Sequence, residues 1–187
     1  MMTRYESEAQ YERTGQEALI WLEKAEGLRY CAGILKDHLL EMVNNPNSDP
    51  LSRRVETLGV MSSTLLLLGL AFENLIKGVD IARDPSLVNL RSLNRSLWKD
   101  DSGHAIMKFA KSLMTLDSDE EELLDRLQEA VVWAGRFPIP TNSPRYHASL
   151  NPVNKQQVSP ANDFDVADRL FDKLKELLNK FRDSHTK

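Results

Sequence analysis

Between Glu56 and Glu73 the chain runs for sixteen residues without a charge, TLGVMSSTLLLLGLAF. The four leucines at 65–68 put apolar groups around a full helical turn. A helix apolar on every side has to be surrounded, by lipid or by other helices. A bilayer span needs about 20 mainly apolar residues; this run is shorter and carries Ser62, Ser63 and Thr64. The rest of the chain supplies amphipathic helices to wrap it. The sequence therefore predicts an all-α fold, an antiparallel bundle of four to five main helices with residues 65–72 at its centre, and no membrane span. An Asp at Leu67 is expected to strand a charge in that core.

A length of 187 residues suits one domain covering 1–187, with a proline-rich segment at 136–160. The net charge of −4 argues against sequence-independent nucleic-acid binding over the whole surface, though a local basic patch is compatible with it. Cys31 is the only cysteine, so neither an internal disulfide nor a cysteine-based zinc site is available. The polar start, MMTRYESEAQYER, lacks the apolar core of a secretory signal. A cytoplasmic location is the expectation.

Taken in order, residues before about 8 read as a frayed start. Leu28, Cys31, Leu35, Leu39 and Met42 recur at spacings of three and four, predicting one helix over 10–43. Gly27 and Gly33 either weaken it modestly or let a neighbour come close. Asn44-Asn45-Pro46-Asn47-Ser48-Asp49-Pro50 is a turn-rich stop. The central helix is predicted over 51–81, ended by Asp84-Pro85-Ser86. Leu87, Leu90, Leu93 and Leu97 suit a short helix or an ordered loop. Asp101-Ser102 reads as the cap of a helix over 103–114. Ser118 and Glu121 match the S-x-x-E capping box of a helix that ends at Gly135, a glycine expected in the left-handed conformation. Five prolines at 136–160 exclude a periodic segment there, and so long a stretch is functional or disordered. The last helix starts near Ser159. Its seam of Phe164, Ala167, Phe171, Leu174, Leu178 and Phe181 either completes the core or pairs with a second copy.

Polar residues appear as the central helix leaves its apolar stretch: Glu73, Asn74 and Lys77. Glu73 and Lys77 are spaced for a local ion pair; in a partly buried cleft they would also be candidate binding groups. His104 is expected in the first turn of its helix, where the positive helix end favours a neutral ring that can orient a backbone or a ligand. With four histidines and no ligand spacing around them, no metal site and no cofactor are expected. Trp133 and Arg136 lie where a helix gives way to the proline-rich segment, as a cap or as a place to hold an anion or stack on a base. Arg95 joins Arg53, Arg54, Arg91, Lys99, Arg136 and Arg145 as side chains that could gather into a positive groove. No phosphate-binding glycine loop, nucleophile elbow or zinc-protease motif is present.

Three short segments resemble motifs of the HEPN-like superfamily of all-α bundles. Leu70-Ala71-Phe72-Glu73-Asn74-Leu75-Ile76-Lys77 is similar to its E-x-x-x-K helix. Gly103-His104-Ala105-Ile106 is similar to its G-H-D-L helix start, with Ala105 for the usual acid. Trp133-Ala134-Gly135-Arg136-Phe137-Pro138 is similar to its G-R-Y-P ending, with Phe137 for Tyr. The resemblance covers about 65–138. Catalytic members use an R-x(4–6)-H motif for metal-independent RNA cleavage across a dimer. Here Arg95 and His104 have eight intervening residues, and no Arg–His pair has the family spacing. The resemblance thus implies a non-catalytic binding or regulatory module for a nucleotide, RNA or a partner protein, with a nucleotidyltransferase-type partner and a homodimer as expected associations. The alternatives are a divergent endoribonuclease of toxin–antitoxin type and a structural homo-oligomer without a small-molecule site.

Overall fold

The computed structural model of the chain describes residues 4–44, 49–89, 92–93, 104–136 and 159–184. Among these the fold is all-α, with α1 (Arg4–Gln16), α2 (Ala18–Asn44), α3 (Pro50–Arg83), α4 (Ile106–Leu113), α5 (Ser118–Glu129) and α6 (Pro160–Ser184). α5 runs on into a π turn, Ala130–Ala134. Past α3 come a single 3-10 turn, Pro85–Leu87, and two-residue antiparallel strands, β1 (Val88–Asn89) and β2 (Ser92–Leu93).

The ends of α3 follow local chemistry. Asp49 caps its start by accepting from the Ser52 N–H at 3.0 Å, with Pro50 in the first turn. That hydrogen bond holds the exposed Asp49 carboxyl below the usual carboxylate range. At the far end Asp84 takes an extended backbone and accepts from both Ser86 N and Ser86 Oγ, so the chain turns at Pro85.

The core gathers on the second half of α3: Leu65, Leu68, Ala71, Phe72, Leu75, Ile76 and Val79 are all buried. Thr64 sits among them because its Oγ1 donates back to the Val60 carbonyl at 2.7 Å. Leu67 is only partly buried, so the position that best tests the core is Leu68. The first half of α3 behaves differently, with Leu51, Val55 and Leu58 exposed. By length and composition α3 could cross a membrane, but 39% of its apolar window is buried inside the molecule.

α2 packs most extensively on α3, and α6 next. α2 buries Ala18, Leu22, Ala25, Ala32 and Leu39. That face is rotated from the expected stripe: Cys31 is exposed, and Leu28, Leu35 and Met42 are half-buried. Three of these five buried residues are alanines, a signal that a search for large apolar residues passes over. A Cβ at Gly27 or Gly33 would meet no atom of the described residues within 4 Å, so neither is there for close approach. The expected single helix is two, broken at Glu17, and the first begins as early as Arg4.

The seam of α6 lies inside the molecule. Phe164, Ala167, Phe171, Leu174 and Leu178 are buried; Phe171 meets Phe72 edge-on at 5.9 Å, and the Arg29 guanidinium covers its ring at 4.7 Å. α5 is tied to α6 by two ion pairs, one buried and one between a buried carboxylate and a half-exposed lysine. Asp163 accepts from Arg126 Nη1 and Nη2 at 2.9 and 2.6 Å, and Glu120 accepts from Lys173 at 2.6 Å. The capping box of α5 starts one residue earlier than expected, with Asp117 as cap and Glu120 as its reciprocal partner. α4 also differs: it starts at Ile106, with Ala105 before it and no side-chain cap. Asp101, Ser102, Arg95 and the 137–158 stretch lie outside the described residues.

Candidate functional site

Successive helical residues are about 100° apart, so neighbours in sequence face different surroundings. Glu73 and Lys77, one turn apart, face α4. Asn74 faces the other way, toward the junction of α1, α2 and β1.

On the α4 side, Glu73 is the hub. One carboxylate oxygen accepts from Lys77 Nζ, and the other pairs with His104 Nδ1 at 2.8 Å. A carboxylate oxygen can only accept, so Nδ1 carries the proton. His104 precedes α4 rather than lying in its first turn, so Glu73, not a helix end, fixes its ring. The three side chains are 11%, 17% and 29% exposed. Ile76, Ala105, Ile106 and Phe109 close the cluster around a cavity of about 10 Å³, room for a single water. An imidazole held by a carboxylate can move a proton, but among the described residues the space beside this one is only that of a single water.

On the other side, α1, the start of α2, Asn74 and Val88 bound a cleft of about 630 Å³. Small-molecule sites commonly span about 300–1,000 Å³. Asn74 is half-buried and its Nδ2 donates to the Leu70 carbonyl at 2.7 Å, which leaves Oδ1 as its acceptor. Trp21 forms one wall, anchored by Nε1 donating to the Gly15 carbonyl at 2.8 Å. Gln16 Nε2 donates to the Val88 carbonyl at 2.8 Å and ties α1 to β1. A Cβ on Gly15 would lie 2.6 Å from Val88 Cγ1, so glycine is required where α1 meets that strand. Ser7, Gln10, Tyr11, Thr14, Ile20 and Lys24 complete the lining. Sequence reasoning found only Asn74 here, because the cleft depends on the break between α1 and α2.

Trp133 and Arg136 stand elsewhere. Trp133 is buried, and its Nε1 donates to Glu129. Arg136 is exposed and donates from Nη1 to the Val131 carbonyl at 3.3 Å. Gly135 has φ −83° and ψ −3°, so the expected left-handed cap is absent. Glycine is needed there for space: a Cβ would sit 2.7 Å from Leu66 Cβ and 3.2 Å from the Ser62 carbonyl. Leu66 lies seven residues before Glu73, about 10 Å along the axis at ~1.5 Å per residue. The sequence candidates therefore fall into three places rather than one: the Glu73–Lys77–His104 cluster, the Asn74 cleft and the Trp133–Arg136 turn. Arg95 is outside the described residues. Among the described residues, no three His, Cys, Asp or Glu side chains gather in a way that could hold a metal ion. Comparison of the chain with known protein families, with curated proteins and with solved structures gave no match.

Proposed function

We propose that this chain is a non-catalytic binding module on a HEPN-like antiparallel helical bundle, with its ligand site in the cleft beside Asn74. The observation that carries the reading is the contrast between the two faces of α3. Glu73 pairs with both Lys77 and His104 around a cavity of about 10 Å³, which supports a structural pin. Asn74 instead lines an accessible cleft of about 630 Å³. Metal-independent RNA cleavage needs one group to take the 2′-hydroxyl proton and another to stabilise the phosphorane. The Arg–His spacing of the sequence does not supply that pair. The test is incubation of the purified protein with mixed single-stranded RNA without metal. No cleavage is expected; robust cleavage, abolished by His104→Ala with helicity intact, would favour the divergent ribonuclease.

One observation favours self-association as well. Leu51, Val55 and Leu58 form a stripe at i, i+4 and i+7 on the outer half of α3, 70%, 66% and 56% exposed. Two-fold pairing of one apolar surface is the commonest way to cover it, and the proposed homodimer uses this stripe rather than the buried seam of α6. Light scattering over a dilution series is expected to show a dimer that Val55→Glu converts to a folded monomer. A monomer at every concentration overturns it.

A further inference from the structure

We infer that the cleft beside Asn74 takes a planar aromatic ligand bearing a negative charge, an inference that rests on the cleft being the ligand site. Its walls present ring surface from two residues. Trp21 is held in one orientation by its bond to the Gly15 carbonyl, so its indole is preorganised for a stacked or edge-on partner. Tyr11, on α1, is 46% exposed and offers a second ring. Ile20 and Val88 supply aliphatic surface beside them.

The charge of the lining is one-sided. Among its described residues Lys24 is the one ionised side chain, and none is acidic. The nearby Glu17 caps the start of α2, where its Oε1 accepts from the Leu19 N–H at 3.3 Å. An apolar, ring-walled space whose charged group is an ammonium suits a flat ring system with a carboxylate or phosphate. The acceptor Oδ1 of Asn74 adds a place for a donor on the ring edge. The same chemistry is carried by free aryl carboxylates and by nucleoside monophosphates.

Calorimetric titration of the full chain separates these. The ligands are naphthoate against naphthylmethanol, adenosine monophosphate against adenosine, and inorganic phosphate alone. Each ring-bearing anion is expected to bind about fivefold tighter than its neutral counterpart, the scale of one solvent-facing ion pair. Phosphate alone is expected to give no binding. Lys24→Gln should equalise each pair, and Tyr11→Ala should weaken the ring compounds several-fold; both residues are exposed, so both variants fold. Binding of either pair with that preference supports the class, and which pair binds identifies the source. Neutral rings that bind as tightly as the anions, or a preference that survives Lys24→Gln, overturn the charged ligand but leave the cleft as the site. No ring compound bound, or binding indifferent to Tyr11→Ala, overturns both.

Discussion

Replacing Glu73 with Ala removes the acceptor shared by Lys77 and His104. Hydrogen bonds to charged groups contribute about 1.5–3 kcal/mol each, and Glu73 makes two at 11% exposure. Lys77 is 17% exposed and His104 29%, so each can recover part of the loss by reaching water. The net cost expected for Glu73→Ala is about 2–4 kcal/mol, a sizeable part of the 5–15 kcal/mol typical of a domain. Glu73→Gln keeps an oxygen for the His104 Nδ1–H but turns an amide donor toward Lys77, losing that hydrogen bond and the charge, so it should cost about half as much. Urea unfolding followed by far-ultraviolet circular dichroism measures both, with unchanged m values showing that the two-state comparison holds. A cycle with His104→Ala should be non-additive by about 0.5–3 kcal/mol. Affinity at the Asn74 cleft should not move. Should Glu73→Ala leave stability within about 0.5 kcal/mol of the parent, the cluster is not a pin and the structural assignment of His104 fails with it.

Arg126→Met leaves the Asp163 carboxylate, 2% exposed, without its bidentate partner and should cost about 3–5 kcal/mol in urea unfolding, most of it recovered by adding Asp163→Leu. The hydrogen bonds that Arg126 donates to Asp163 hold its guanidinium above the ordinary value; its contribution is complete below the unfolded-state value and lost only above the folded one, so the gap to Arg126→Met should stay constant from about pH 7 to 10. Leu68→Ala, at a site 1% exposed, should cost about 2–5 kcal/mol, whereas Leu51→Ala on the same helix, measured in the monomeric Val55→Glu background, should cost under about 0.5 kcal/mol; equal losses would refute the division of α3 into an inner and an outer half. A Cβ at Gly69 would meet Val131 Cγ2 at 2.6 Å and the Leu127 carbonyl at 2.9 Å, so Gly69→Ala should lower the thermal midpoint through about 1–3 kcal/mol of overpacking, and an unchanged midpoint would mean that α5 gives way freely.

The boundaries of α3 were legible because Asp-Pro stands at both ends, at Asp49-Pro50 and Asp84-Pro85, and each forms its local bonds without help from the rest of the chain. The capping box of α5 was legible only to within one residue. Asp117 and Ser118 can both cap, with Glu120 and Glu121 three residues on, and tertiary contact decides between the registers: Glu120 is buried and takes Lys173 from α6. The helix break at Glu17 and the alanine face of α2 were hidden for a related reason. Periodicity finds large apolar residues, while the most deeply buried positions of α2 are Ala25 and Ala32. Of the candidate site, the Glu73–Lys77 pair could be read from spacing. The His104 partnership could not, since 31 residues separate it from Glu73, nor could the cleft, whose walls come from α1, α2, α3 and β1.

The uncharged run and the buried run are not the same residues. Charge-free sequence begins at Thr57, but burial along α3 begins at Thr64, so about two turns of apolar helix at ~3.6 residues per turn lie outside the core. With Leu51, Val55 and Leu58 beside them, these turns keep an apolar surface in water that the core of one copy does not require. Arg53 and Arg54 show that the same half of the helix accepts charge, so the apolar stripe is positional and not a lack of polar residues nearby. Burial of the α6 seam removes the surface from which the sequence pattern argued an association. Pairing of two outer halves of α3 would cover the stripe and leave the Asn74 cleft, at the inner half of the same helix, open to its ligand. Binding and self-association would then occupy separate lengths of one helix, and Val55→Glu should abolish the second while leaving ligand affinity within experimental error of the parent.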